Sequence, residues 1–224
     1  MEEQSLSLSF GNSLTEEVSG IAGEYVELGL DALSEDGLFK ELPFVSSVVS
    51  VYRIGKSIRE RHHIAKLISF LNEINKGIAD EEKRQKYRDK FAANEKFRNQ
   101  ELEYILILID RYISFDKPQM LAKLYLAYLD GTIIWEEFTM FAEIVDRFLP
   151  GDITILYEYS RDTIDTRAVE PIIDRIQRLI SVGLLTEKIK TVDFYNGYGK
   201  KTSVINLEGY SLTRFGEKLA NILR

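Results

Sequence analysis

The sequence contains no cysteine. Disulfides, thiolate zinc sites and a thiol nucleophile are thereby excluded, and a cytoplasmic setting is the compatible one. Histidine is nearly as scarce, with His62 and His63 the only two. As sequence neighbours they point to different parts of a helix surface and cannot form the i, i+4 pair of a helical zinc site. Lys and Arg are missing from residues 1–39, which hold nine acids, and Lys40 is the first basic residue. That stretch has neither the basic region nor the apolar run of a signal peptide. No segment stays apolar for the ~20 residues that a bilayer span requires, and no Gly-x-Ser-x-Gly elbow supports a serine nucleophile. These absences point to a soluble intracellular chain with no enzyme signature, no metal site and no cofactor.

What is present is ordinary for a globular protein: 224 residues, 45% hydrophobic and 29% charged, enough to bury a core in one large or two small domains. The net charge of −7 conceals a basic middle, since residues 40–100 carry 14 basic against 8 acidic side chains. Solvated helix faces account for such a patch, and so does a surface for an anionic partner. A net acidic chain argues against general nucleic-acid binding, which rests on neutralised phosphates.

The chain is organised around Leu42–Gly77. Pro43 suits the first turn of a helix. Val45, Val48, Val49, Tyr52, Ile58, Ile64, Leu67, Ile68, Leu71 and Ile74 then recur at three- and four-residue steps, and Gly77 offers a C-terminal cap. This predicts a spine helix, bent or split near Gly55 and Ser57. Before it, residues 1–13 are polar and Ser-rich, and Thr15 to about Leu33 reads as a helix. After it come a short charged helix from Asp80 to Phe91 and a helix starting near Asn94. The latter is apolar all round at Tyr104–Ile109 and so is expected at the centre. A helix N-capped by Asp116 follows with Pro118 in its first turn, and another runs from about Trp135 to Leu149. Pro150-Gly151 marks the preferred domain boundary. Beyond it the order is helix, helix, strand, strand, helix, with strands at Lys188–Tyr195 and Ser203–Leu212 across the turn Asn196-Gly-Tyr-Gly199.

Several motif fragments fail on spacing. Gly55-Lys56-Ser57 lacks the earlier glycine of a phosphate loop, because Ser50 stands there. Asp130-Gly131 copies the second half of a calcium loop, but Leu126 and Tyr128 occupy the positions that need carboxylates. Glu136-Glu137 reads as helix surface.

Two resemblances add to this. Arg178-Leu-Ile-Ser-Val-Gly-Leu-Leu185 before the hairpin and Tyr210-Ser-Leu-Thr-Arg-Phe-Gly216 after it resemble the back half of a winged-helix domain of the MarR or PadR type. The resemblance covers residues 170–222 and implies a helix for the DNA major groove followed by a wing. It makes Arg167, Arg175, Arg178, Tyr195, Tyr198, Lys200 and Lys201 the nucleic-acid candidates, with acids at Asp162, Asp165, Glu170 and Asp174 opposing them. The Leu42-Pro-Phe-Val45 start and charged helices loosely resemble uncharacterised bacterial and prophage helical proteins, which fixes no activity.

The expectation is a mainly α protein: a flexible residue 1–13 segment, a multi-helix bundle over 14–150, and a small α+β winged-helix-like domain over 151–224. The expected role is a non-enzymatic, cytoplasmic interaction or regulatory protein that meets an unidentified protein partner through Arg53, Lys56, Arg59, Arg61 and Lys66. A winged-helix DNA-binding regulator and a membrane-surface helical effector acting through residues 14–58 are the alternatives, neither favoured. Self-association is left open.

Overall fold

A computed structural model describes residues 58–78, 82, 85–87, 89, 95–161, 172–195, 198 and 201–224. The protein is mainly helical, with one two-stranded antiparallel sheet near the C-terminus. It divides into two compact units, Met1–Asp146 and Arg147–Arg224; the sequence had suggested a division at Pro150-Gly151. The expected helix at 15–33 and the first half of the spine lie outside the described residues.

In the first unit, α1 (Ile58–Gly77) buries Ile64, Leu67, Ile68, Phe70, Leu71 and Ile74 in one stripe, as its three- and four-residue spacing requires. Ile58, expected on that stripe, is instead 72% exposed. Gly77 ends the helix without a left-handed cap. Its lack of a side chain serves packing: a β-carbon there would stand 2.3 Å from Leu126 Cδ1. Glu82, Gln85, Lys86, Tyr87 and Asp89, from the expected charged helix, are helical.

Helix α2 (Glu95–Arg111) buries Leu102, Ile105, Leu106, Leu108 and Ile109, yet Ile107 is exposed, so the apolar run expected at the centre is not buried on every side. Helix α3 (Asp116–Leu129) is the main packing partner of α1. Phe115, not Asp116, is its N-cap, and no side chain caps it. Its far end closes as a Schellman motif: Gly131 at φ 79°, with Gly131 N–H donating to the Tyr128 carbonyl and Thr132 N–H to the Ala127 carbonyl. Helix α4 (Trp135–Arg147) contributes Phe138, Phe141, Ala142 and Val145 to the core. Trp135 stacks on Phe138 with ring centres 4.8 Å apart, and Tyr104, Tyr125 and Tyr128 close round them. Two of the tyrosine hydroxyls reach carboxylates, Tyr104 donating to Glu143 and Tyr128 to buried Glu101.

In the second unit, α5 (Asp152–Ser160) and α6 (Ile173–Ser181) precede the strands β1 (Leu185–Tyr195) and β2 (Lys201–Leu212). Helix α7 (Arg214–Leu223) closes the chain. Helix α6 ends in a second Schellman motif at Gly183, φ 77°, which turns Leu184 and Leu185 into the core. Thr213 is the N-cap of α7: its Oγ1 accepts from Gly216 N–H at 2.9 Å and donates to the Gly183 carbonyl at 2.7 Å. A β-carbon on Gly216 would stand 2.1 Å from the Leu184 carbonyl oxygen. The Tyr-x-Leu-Thr-x-x-Gly segment thus has a structural cause: a threonine that caps and a glycine that admits a close backbone approach.

Candidate interaction surface

The strands pair from Leu185 with Leu212 to Tyr195 with Lys201, β1 starting three residues and β2 two residues earlier than the sequence suggested. The register shifts between Lys188 and Ile189, where Glu208 is the extra residue of β2 and Gly209, at φ 149°, takes a backbone conformation open chiefly to glycine. Directly paired residues share a face. Beyond the bulge, Ile189 with Leu207, Thr191 with Ile205, Asp193 with Ser203 and Tyr195 with Lys201 therefore make one face. Val192 with Val204 and Phe194 with Thr202 fall on the other.

The first face is apolar and exposed. Ile189 is 59%, Ile205 67% and Leu207 52% open to solvent. Towards the tip, Asp193 accepts from Ser203 Oγ at 2.6 Å and pairs with Lys201 Nζ at 2.8 Å. Those partners hold its carboxyl below the usual carboxylate range. Lys190 lies 3.5 Å from Glu208. Lys190 and Lys201 are in this way matched by the ribbon's own acids, and what it offers between them is hydrocarbon.

The residues expected to contact nucleic acid are scattered by these same pairings. Lys201 is spent on Asp193. Arg178 forms a bidentate pair with buried Asp152, Nη2 to Oδ1 at 2.8 Å and Nε to Oδ2 at 3.2 Å, and Asp152 also accepts from Leu149 N–H. The Arg178 guanidinium is thus a strut between α5 and α6. Arg175 lies against Gly151, its Nη1 2.7 Å from where a β-carbon would be. Tyr195 and Tyr198 are exposed at the hairpin end. Arg167 and Lys200 lie outside the described residues.

The expected basic surface on the spine is corrected at Lys66. It is only 3% exposed, and its Nζ donates to the carbonyls of Asp110 at 2.9 Å and Tyr112 at 2.6 Å. These carbonyls lie at the C-terminal end of α2, where a helix lacks donors and favours positive charge. Burial lowers the Lys66 pKa, with Asp110 opposing that shift. Beside it, buried His63 places Nδ1 3.3 Å from Asp110 Oδ1, and Arg59 reaches Asp110 Oδ2 at 3.2 Å. Arg59 is exposed; Arg53 and Lys56 and the Arg61 side chain lie outside the described residues. The calcium-like Asp130 is also engaged, accepting from Tyr87 Oη at 2.6 Å.

Sequence reasoning passed over Ile189, Ile205 and Leu207. Their β-branched or apolar character marked a strand, but Val-Ile at 204–205 places hydrocarbon on both faces, a pattern that usually signals burial. Among the described residues, no group of acids and histidines could hold a metal ion, and no helix is long and apolar enough to cross a membrane. No family model matches the chain, and no curated protein or solved structure matches it.

Proposed function

We propose that this chain is a non-enzymatic interaction or regulatory protein, and that the β1–β2 hairpin, not the spine helix, meets its protein partner. The observation that carries this is the exposed row Ile189, Ile205 and Leu207 on one face of a two-stranded ribbon. An isolated hairpin is marginally stable in water, and monomeric proteins keep few contiguous apolar patches uncovered. The charge pattern favours an apolar protein surface over a phosphate backbone. Lys190 and Lys201 are already matched by Glu208 and Asp193, so turning these two lysines to phosphates would require breaking pairs within the hairpin.

The test is site-specific photo-cross-linking in the cells that make the protein, with the probe at position 205 and a control probe at exposed Ile107. A discrete protein adduct from position 205 only, lost on Leu207→Asp, is the expected result; the band's mass tells a second copy of the chain from a different protein. Adducts equal to the control, or adducts with nucleic acid alone, overturn the reading. In parallel, random duplex DNA titrated by fluorescence anisotropy at low and moderate salt is expected to give no salt-sensitive binding.

A further inference from the structure

At the root of the hairpin a cavity of about 340 Å³ opens between the end of α5, the bulged part of the strands and α7. Its size is at the lower end of the roughly 300–1,000 Å³ typical of small-molecule sites. Tyr159, Lys188, Tyr210, Glu217 and Asn221 line it. Glu217 and Asn221 are one turn apart on α7 and so project from the same side of that helix. The bulge at Glu208 interrupts the two-residue alternation of β2 just before Tyr210, a common device for re-aiming a side chain beside a site.

These polar groups are unspent. The Tyr159 hydroxyl is buried and has no hydrogen-bond partner among the described residues, a condition few buried polar atoms in native proteins show. Burial and the nearby Tyr210 raise its pKa, so it is a neutral O–H donor. Among the described residues Lys188, unlike Lys190 and Lys201, has no carboxylate partner, and the Glu217 carboxylate has no cation.

We propose that this cavity binds a small zwitterion carrying a carboxylate and a protonated amine, as a free α-amino acid does. The Lys188 ammonium and the Tyr159 hydroxyl receive the carboxylate, Glu217 receives the amine, and Asn221 donates or accepts beside them. Lys188 and Glu217 are exposed at the mouth of the cleft, and a ligand with one charge, or none, would leave one of the two without a partner there. The site is independent of the apolar row, so failure of either reading leaves the other standing.

The experiment uses the full chain with ring-¹³C-labelled tyrosine, titrated by NMR with each common free amino acid and, separately, with sodium acetate and methylammonium chloride. Tyr159→Phe assigns the Tyr159 resonance, and it should melt no lower than the parent because the hydroxyl has no partner to lose. The expected result is a saturable shift of that resonance with at least one amino acid. Acetate and methylammonium should each bind at least about ten-fold more weakly, and Lys188→Ala and Glu217→Gln should each raise Kd by about ten-fold or more. No saturable shift, acetate binding as tight as any amino acid, or affinity unchanged in both variants overturns the proposal.

Discussion

The helical unit and the hairpin are built from the same kinds of residue and treat them in opposite ways. In α1–α4, Leu67, Phe70, Ile105, Leu121, Phe138 and Phe141 are sealed from water. In the hairpin, Ile189, Ile205 and Leu207 remain more than half exposed. A helix has one apolar stripe, and a neighbouring helix of the same chain covers it. The two-stranded ribbon is packed by α5, α6 and α7 only at its root, and beyond the bulge its apolar residues stay exposed. Composition therefore does not decide which hydrocarbon is core. The number of covering layers does, and residual exposure in the hairpin is what led us to propose it as the partner face.

The sharpest way to break that contrast is truncation on both sides of it. Phe138→Ala removes a ring held by Tyr104, Tyr125, Tyr128 and Trp135, and is expected to cost about 3–5 kcal/mol in urea unfolding. Ile205→Ala should change stability by no more than about 0.5 kcal/mol, as at an open surface site. Comparable losses at both positions would mean that the hairpin is covered in the free protein, and the proposed partner face would be lost.

Lysines sharpen the same comparison at a smaller scale. Lys66→Met keeps the stem's bulk but leaves the Asp110 and Tyr112 carbonyls without their donor, and about 2 kcal/mol of stability should go with it. Lys190→Met loses an exposed pair with Glu208, and the expected change is within about 0.5 kcal/mol. Equal effects in thermal or denaturant unfolding would show that Lys66 is solvated and restore it to the surface where the sequence had placed it.

That misplacement shows where sequence reading stops. The stripe Ile64, Leu67, Ile68, Leu71, Ile74 was legible because helical periodicity is a local property, and the stops at Gly131 and Gly183 are local too, because positive φ favours glycine. The hairpin and the order of the C-terminal elements followed from turn residues between apolar runs. Pairings across the chain were not legible. Lys66 meets carbonyls 44 and 46 residues away, and Arg178 meets a carboxylate 26 residues away. No local pattern announces either, so both looked like available cations. The open face of the hairpin was hidden for the same reason, because alternation says which residues share a face and not whether anything covers it.

The smallest effect tests the polar junction of α1 and α2 through pH. His63 is buried, and burial lowers its pKa from about 6.5; Asp110 opposes the shift, while Lys66, Arg59 and His62 add to it. His62 is shifted the same way, by burial first and Lys66 second. A histidine with a lowered folded pKa binds its proton less readily in the native state than in the unfolded chain. Stability must then rise with pH through this range. Lowering the solution's pH from about 7.5 to about 5.5 should accordingly lower the unfolding midpoint, and the His62→Gln, His63→Gln double variant should flatten that slope whatever its absolute stability. Asp193, whose lowered pKa acts below about 3.8, does not contribute in this window. A midpoint that rises on acidification would mean that the Asp110 carboxylate outweighs burial and holds His63 charged, making the junction an ion pair with a stabilising proton instead of a buried neutral ring.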